Sequence, residues 1–561
     1  MEFLSDKLLF KIFSHAKHDC NRVKLVCKRF YLLICEMKNI RKSLCISEEK
    51  LKDKDVYYSI INSKNIISEI LIYSNYTQSM DTFYKLRTIC SINASTITDV
   101  SWHKVKMTAT EIIGILNLFP NLKFLCCDCW KIETEFYDEP AEPLKLERLT
   151  SLIIYKCNDA TTALFNYYLP TNRLTSLTVN FYCKSYVNSL CVMSDSEEGA
   201  ENDSELFNYK EEGVIDCVKP TLTHLRMQLQ KYKINQETPL MSILQLQSNL
   251  VRLDVLSCSG VFEDDNESFV AICYLRNLKE LSLNIDDVKP AVFKEHFHKL
   301  NKLEVLSIEA LEEYYSSSLK DNIEELSKTR LEHLTSLTIQ VKHTEISVNM
   351  IKQMGLNYPK LLQLSLACEV SHLLDVYLRS FETLTRIVID YTYSQAFSDI
   401  CNNLDCLCFP LIEHICLTEF YSVPTQTYRP IKPSQADLNE PAFLKLVKAL
   451  PNITEMKIQI SIPLNAKFLD KCLKMLPNLK IFEGFILLQQ DEKFDENCVN
   501  YLIRIFEKLK SFSVELKLKS IDMDVYKIKT KLMEKFRFDI KRSRVETSIN
   551  LKNKINRINY E

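Results

Sequence analysis

Glycine is what this sequence has least of. Six glycines stand in 561 residues, at 114, 199, 213, 260, 355 and 484, against about 7% in average usage. No two are close enough for G-x-G-x-x-G, and G-x-x-x-x-G-K-[ST] is absent. A backbone that cradles phosphate needs several glycines, because only they let the chain approach the anion closely. The common nucleotide-binding loops are therefore excluded. Charge of one sign is also lacking: 71 basic against 73 acidic residues leave a formal net charge of -2, so nothing global points to nucleic acid or an anionic membrane. No apolar run reaches the ~18 residues of a membrane span. Ten histidines are scattered without H-E-x-x-H, and there is no G-x-S-x-G. No Cys/His pair stands in a context that would activate a nucleophile. No catalytic residue, cofactor or metal is expected.

Cysteine, by contrast, is abundant at 21. The opening Met1-Glu2-Phe3-Leu4-Ser5-Asp6-Lys7 has neither a basic region nor an apolar h-region. The thiols are thus expected to be reduced, acting as small hydrophobes in a cytoplasmic or nuclear protein. Cys126-Cys127-x-Cys129 and Cys401-x4-Cys406-x-Cys408, even with His414 and Cys416 nearby, lack the paired ligand spacing of zinc sites,. Buried thiols are the expectation for both clusters.

What the chain does have is repetition. Leu303-Glu304-Val305-Leu306-Ser307-Ile308 has the form L-x-x-L-x-I, and its first position recurs at Ile67, Ile97, Leu122, Leu149, Leu174, Leu222, Leu250, Leu278, Leu303, Leu334, Leu361, Leu384, Ile412, Ile453, Leu479 and Leu509. Alternating apolar residues mark a strand with one buried face. Most gaps are 23 to 31 residues, a period that fits leucine-rich repeats and not the longer helical ones. A chain of this length exceeds one ordinary core, and a solenoid solves that by growing lengthwise. Between strands the chain turns helical before a Pro-Asn turn, as in Ile112 to Asn121, Phe443 to Asn452 and Phe468 to Asn478, since Pro stops a helix and Asn tolerates the turn. The array resembles leucine-rich-repeat proteins over roughly residues 60–520. The resemblance implies an α/β fold, a curved leucine-rich-repeat solenoid with parallel strands on the concave face and helices outside.

Between the apolar positions the strands would present Arg226 with Gln228, Arg252 with Asp254, Glu280 with Asn284, Glu309, Arg386 with Asp390, and Lys457 with Gln459. This polar stripe of mixed charge suits a folded protein or peptide better than an apolar ligand. Arg226, Arg252, Asp254, Asn284, Glu309, Arg386, Asp390 and Lys457 are the candidate substrate-binding residues.

The first forty-five residues are different. Ser5 can cap a helix bearing Leu8, Leu9, Ile12 and Phe13 on one face, and Asp19 can cap a second with Val23, Val26 and Phe30,. So small a helical unit cannot bury all these side chains by itself, so part of the apolar surface is expected to meet a partner. Leu4 to Phe13, followed by Leu25-Val26-Cys27-Lys28-Arg29-Phe30-Tyr31, resembles an F-box over residues 3–45. Ser5 stands where that family usually has Pro, and Lys7 where it often has Glu. The resemblance implies docking on a Skp-type adaptor, and through it a cullin ligase, by Leu4, Leu8, Leu9, Ile12, Phe13, Val26, Cys27 and Phe30. An F-box followed by such repeats resembles the F-box/leucine-rich-repeat class of substrate receptors. The alternative is a protein-binding scaffold in which the helical segment only covers the end of the array.

Two gaps interrupt residues 46–520. One holds the acidic Ser194-Asp195-Ser196-Glu197-Glu198 run, an expected disordered loop at about 185–217, and the other spans about 422–440,. Residues 526–561 carry eleven Lys or Arg against four Asp or Glu. Leu532, Phe536 and Ile540 recur there every four residues, which predicts a basic amphipathic helix within a cap or tail over 521–561.

Overall fold

Each L-x-x-L-x-I hexad begins in a turn and then extends, because its last apolar pair, at alternate positions, can be buried together only on one side of a strand. A computed structural model describes residues 43–62, 67–73, 80–133, 144–155, 157, 164, 173–180, 222–229, 249–257, 266–285, 288–309, 317–369, 374–391, 401, 404, 407–419, 440–463, 466–487, 511–518, 536–542 and 547–553. The chain divides into two units, Met1–Leu256 and Ser257–Glu561. The F-box candidates Leu4, Leu8, Leu9, Ile12, Phe13, Val26, Cys27 and Phe30 lie outside the described residues, as do the acidic loop and nearly all of 422–440.

The first unit carries β1 (Ser43–Ser47), β2 (Glu69–Tyr73), β3 (Asp99–His103), β4 (Lys106–Thr108), β5 (Phe124–Asp128), β6 (Lys131–Glu133), β7 (Ser151–Tyr155), β8 (Ser176–Asn180), β9 (His224–Leu229) and β10 (Arg252–Ser257). Strands β1, β2, β3, β5, β7, β8 and β9 pair in parallel in that order. The Val251 and Arg252 amides donate to the Thr223 carbonyl, setting β10 beside β9. Strands β4 and β6 form a separate parallel pair. The helices of this unit are α1 (Glu48–Lys52), α2 (Lys54–Ile61), α3 (Met80–Asn93) and α4 (Ala109–Leu116). Thr108 and Glu111 start α4 with reciprocal side-chain and backbone hydrogen bonds, satisfying amide donors that a helix start leaves unpaired.

In the second unit strand and helix alternate more regularly: β11 (Glu280–Leu283), β12 (Val305–Glu309), β13 (Ser336–Glu345), β14 (Gln363–Glu369), β15 (Arg386–Tyr391), β16 (His414–Glu419), β17 (Glu455–Pro463), β18 (Ile481–Leu487) and β19 (Ser511–Leu518). All are parallel neighbours in that order. Helix α5 (Asn266–Cys273) precedes β11. Helices α6 (Pro290–His296), α7 (Ser317–Lys328), α8 (Val348–Asn357) and α9 (Leu374–Ser380) fill the connections from β11 to β15, and α10 (Glu440–Ala449) and α11 (Ala466–Lys474) those from β16 to β18. Both units therefore show the expected α/β repeat plan of parallel strands and connecting helices, and the Pro-Asn turns follow α4, α10 and α11 as expected.

Fifteen of the sixteen predicted first positions, Ile67 through Leu479, are buried; the sixteenth, Leu509, lies outside the described side chains. The second positions form one buried stack in each unit, Ile70–Val100–Leu125–Leu152–Leu177–Leu225 and Leu281–Leu306–Leu337–Leu364–Ile387–Ile415–Met456–Phe482, register partner on register partner. Burial of each such side chain is worth about 1.5–3 kcal/mol, so the core grows with every repeat added.

A second ladder runs beside this core. Thr98, Thr150, Thr175, Thr223, Thr335, Thr385 and Thr454 each follow a first-position Leu or Ile. Each donates its hydroxyl to a carbonyl of the preceding repeat, at 3.3, 3.2, 3.2, 3.2, 3.0, 3.1 and 3.1 Å. Asn121 and Asn452, one residue before first positions, reach back in the same way to the Ser95 and Pro410 carbonyls. Each bond ties one repeat to the one before it. The sequence signal was an L-T-x-L doublet, hidden beneath the more conspicuous apolar spacing.

Three expectations are corrected. Among the described residues the sheet begins at Ser43, inside the end of the segment expected as F-box, because Leu44 and Ile46 alternate although Arg41 occupies the apolar first position. Residues 536–542 are not helical: they form β20 (Phe536–Arg542), which pairs antiparallel with β21 (Thr547–Asn553), itself antiparallel to β19. Phe536 and Ile540 are four apart, a spacing that two turns of strand pleat satisfy as well as one turn of helix. Phe538 between them makes the period two, which is a strand. Asn284, expected on the polar stripe, is only 3% exposed. It follows the last residue of β11, where the chain leaves the pleat and the alternation stops.

Candidate functional site

The parallel register converts the sequence into a map of the face that the core leaves outward. In the first unit the outward positions of β2, β3, β5 and β7 are Glu69, Leu71 and Tyr73, then Asp99, Ser101 and His103, then Phe124, Cys126 and Asp128, and finally Ser151, Ile153 and Tyr155. All twelve are half-buried or exposed, whereas the alternate residues Ile70, Ile72, Val100, Trp102, Leu125, Cys127, Leu152 and Ile154 are buried. Tyr73 stacks on the His103 ring at 4.8 Å with the planes 6° apart. On the next strand Asp128 Oδ2 meets His103 Nδ1 at 2.8 Å, and Asp128 Oδ1 accepts from the Cys129 thiol at 3.2 Å. Tyr73, His103, Asp128 and Tyr155 thus form one row across four strands. The sequence reading passed over this row, although each member directly follows the last apolar residue of its hexad.

Beneath the row, Trp130 Nε1 donates to the Trp102 carbonyl at 2.7 Å and the two indoles meet edge to face at 5.5 Å. Lys104 and Cys129, just past β3 and β5, both have φ of 58°, a left-handed turn uncommon outside glycine. The Lys104 amide donates to the Asp128 carbonyl at 2.7 Å and the Cys129 amide to the Tyr155 carbonyl at 2.8 Å, so adjacent repeats hold both turns.

The second unit presents a different face. Its central strands show Ser307, Thr338 and Ser365 in one row, beside Ser336, Gln363 and Gln340. Charges gather further along, on β16 to β18. His414 Nδ1 lies 2.9 Å from Glu455 Oε2, and Lys457 Nζ lies 3.1 Å from Glu455 and 3.7 Å from Glu483. Partial burial works against the charge on Glu455, but hydrogen bonds from Lys457 and His414 outweigh it and hold the carboxyl below its usual value. Lys457 is likewise opposed by burial, yet Glu455 and Glu483 raise it.

The predicted binding residues distribute unevenly over these faces. Arg226 is exposed on β9. Arg252 and Asp254, two apart on β10, are spent on each other through Nε and Nη2 at 3.1 and 3.0 Å. Glu309 ends β12, half-buried. Arg386 is exposed on β15, between Gln363 and His414 in the register, and Asp390 occupies a register position beside Ala367 and Thr418. Lys457 is held in a network with Glu455 and Glu483. Of the cysteine cluster, Cys126 and Cys127 fall on opposite sides of β5. Burial, with a smaller push from Asp128, takes the Cys126 thiol up to about 11. Burial also takes Cys157 to about 12 and Cys127 well above its usual range. Among the described residues no three His, Cys, Asp or Glu side chains are grouped to hold a metal ion, and no helix is long and apolar enough to cross a membrane.

No protein-family model matches this chain, and no curated protein matches it. Among solved structures, it is similar to the yeast complex of Rad7 and Elc1, with a TM-score of 0.34 and 13% identity over 86% of this chain and 88% of that one. It is also similar to a structural-genomics protein from Bacteroides fragilis, with a TM-score of 0.20 and 12% identity over 70% of this chain and 78% of that one. The functional conclusion therefore has to come from the residues themselves.

Proposed function

We propose that this protein is the substrate-recognition subunit of an SCF-type ubiquitin ligase. Residues 3–45 hold a Skp-type adaptor, and through it a cullin, while the repeat array holds a target protein and so leads to its ubiquitination. The observation that carries the proposal is the adjacency of two things: the Leu25-Val26-Cys27-Lys28-Arg29-Phe30-Tyr31 run, which resembles an F-box, and a parallel-strand array with polar outward faces. The protein itself supplies no reacting side chain. Its contribution is proximity, which raises the effective concentration of a target lysine near a conjugating enzyme.

The experiment is retention of a purified Skp-type adaptor by the immobilised full-length protein. The wild type retains the adaptor, and Leu9→Glu and Phe30→Ala each weaken retention roughly tenfold or more, as expected for loss of a buried apolar anchor. Failure of the wild type to retain it overturns the assignment and leaves a repeat scaffold that recruits no ligase.

A further inference from the structure

The sheet of the second unit ends in strands that change direction: β21 lies antiparallel to β19, and β20 antiparallel to β21. Among the described residues β21 is the one strand paired with β20. The other edge of β20 thus has backbone donors and acceptors that a further strand can take up. Register says what that edge offers. Phe482 of β18 is fully buried and is the register partner of Phe512. From Phe512 the same face runs through Val514 and Leu516, whose partners on β21 are Leu551 and Ile549, and the partners of these on β20 are Phe538 and Ile540. Phe536, Phe538 and Ile540 therefore hold positions on the core side of the pleat, and Arg537, Asp539 and Lys541 positions on the outward side. The register partners of Arg537 and Asp539 on β21 are Lys552 and Asn550. Neither carries the opposite charge, and Arg537 opposite Lys552 is a like pair, which costs stability.

Charged residues on an edge strand usually keep other strands away. In Phe536-Arg537-Phe538-Asp539-Ile540 they stand in a self-complementary order. Two such strands, antiparallel and centred on Phe538, place Arg537 opposite Asp539 twice, Phe536 opposite Ile540 twice and Phe538 opposite itself,. Both faces then match, with aromatic and aliphatic positions continuing the core side and opposite charges paired on the outward side. Centring on Arg537 or on Asp539 sets like charges against each other, and centring on Ile540 sets Phe538 against Arg542. A slip of one residue joins the core side of one strand to the outward side of the other. One register fits. Beyond it Lys541 falls opposite Lys535 and Arg542 opposite Glu534, one like and one unlike pair that offset each other. We infer that β20 is the interface for a second copy of this chain, joined edge to edge about a twofold axis so that two sheets become one. An isologous contact of this kind closes on itself and stops at the dimer. The inference stands whether or not residues 3–45 hold an adaptor.

The test is the mass of the full-length protein by light scattering after size exclusion, with circular dichroism as the check on folding. Wild type at about 50 µM, above the micromolar constant of a small interface, gives twice the 65.6 kDa of one chain. Arg537→Asp sets carboxylates against each other at two points and weakens the dimer roughly tenfold by sedimentation equilibrium. Asp539→Arg does the same with cations. The two changes together restore the constant to within about twofold, because the exchanged order is again self-complementary. Glu382→Lys, at an exposed turn of the same unit, leaves it unchanged. A synthetic peptide of residues 534–544 competes for the edge of the wild-type protein and returns the mass to that of one chain, whereas the same peptide carrying Arg537→Asp does not. The peptide pair gives the reading where a single variant has not folded. A wild type that stays at 65.6 kDa overturns the inference. So does a dimer that the single changes leave as strong as before, that the double change fails to restore, or that the two peptides affect alike.

Discussion

On β2, β3, β5 and β7 the outward side chains include three carboxylates, His103, two tyrosines and the apolar Leu71, Phe124 and Ile153, with no Lys or Arg among the twelve. On β16 to β18 the outward charges are already matched, Lys457 between Glu455 and Glu483, and His414 against Glu455. The backbone plan beneath the two faces is alike, parallel strands whose second apolar residues stack on one another. The repeat needs apolar residues only where strands face the core, so outward positions are free to take on different chemistry in different repeats. In the second unit that freedom is used to neutralise charge within the molecule. In the first, Asp128 is tied to His103 and to the Cys129 thiol.

If the cores are equivalent while the faces differ, equivalent core deletions should cost the same in both units. Leu152→Ala and Leu306→Ala occupy the same stack position and should each destabilise by about 2–5 kcal/mol. Both tryptophans of the chain, Trp102 and Trp130, lie in the first unit. Urea unfolding followed by tryptophan fluorescence therefore reads Leu152→Ala directly, with circular dichroism reporting Leu306→Ala. A cost below 1 kcal/mol in one unit alone would break the equivalence.

The outer layers give a sharper contrast. A Cβ added at Gly355 on α8 would overlap the Ser380 backbone carbonyl oxygen, whereas one at Gly114 on α4 meets nothing. Gly355→Ala should cost about 1–3 kcal/mol by forcing helix α8 off its neighbour. Gly114→Ala should stabilise by about 0.5–1 kcal/mol through helix propensity. Opposite signs in the thermal midpoints confirm that helix packing is tight where strand and helix alternate regularly; equal signs would remove that difference between the units.

The threonine ladder is common to both units, so Thr175→Val and Thr454→Val should each cost about 0.5–1.5 kcal/mol, and their double mutant should lose the sum because the sites are far apart in the ladder. Strong non-additivity in denaturant midpoints would refute a ladder of independent rungs.

The smallest effect is expected from Glu455→Gln. The folded carboxyl is held below its ordinary value, so its stabilising contribution is present above the unfolded value, about pH 4.3. It is lost as pH falls through the folded value, where folded and unfolded chains are both protonated. The thermal midpoint of Glu455→Gln should thus lie slightly below wild type near pH 7 and converge with it once the pH has fallen through the folded value. A gap that persists at low pH would assign the loss to packing instead of charge. Lys457, raised by Glu455 and Glu483, contributes below its unfolded value and loses that contribution only in strong alkali.

The repeat plan was legible because its signal is local. Leu303, Leu306 and Ile308 bury together by strand geometry alone, and the spacing of such hexads found fifteen buried first positions. Where the local signal was ambiguous, the reading failed for a physical reason. The four-residue interval from Phe536 to Ile540 fits both periods, β1 lacks an apolar residue at Arg41, and Asn284 keeps the parity of an outward position after the pleat has ended. The F-box candidates were legible as a family resemblance, and they lie outside the described residues.

The sequence by itself determined which side of each strand faces the core, because residues two apart share a face whatever the rest of the chain does. It also determined that nucleotide-binding glycine loops are missing and that charge is nearly balanced overall. Only the tertiary structure decided which outward side chains become neighbours. His103 meets Asp128, Lys457 meets Glu483 and Glu69 lies opposite Asp99 because register joins strands whose separation along the chain varies from repeat to repeat. Register is set by how the buried stacks and the threonine ladder align one repeat on the next, and no single stretch of sequence contains that alignment.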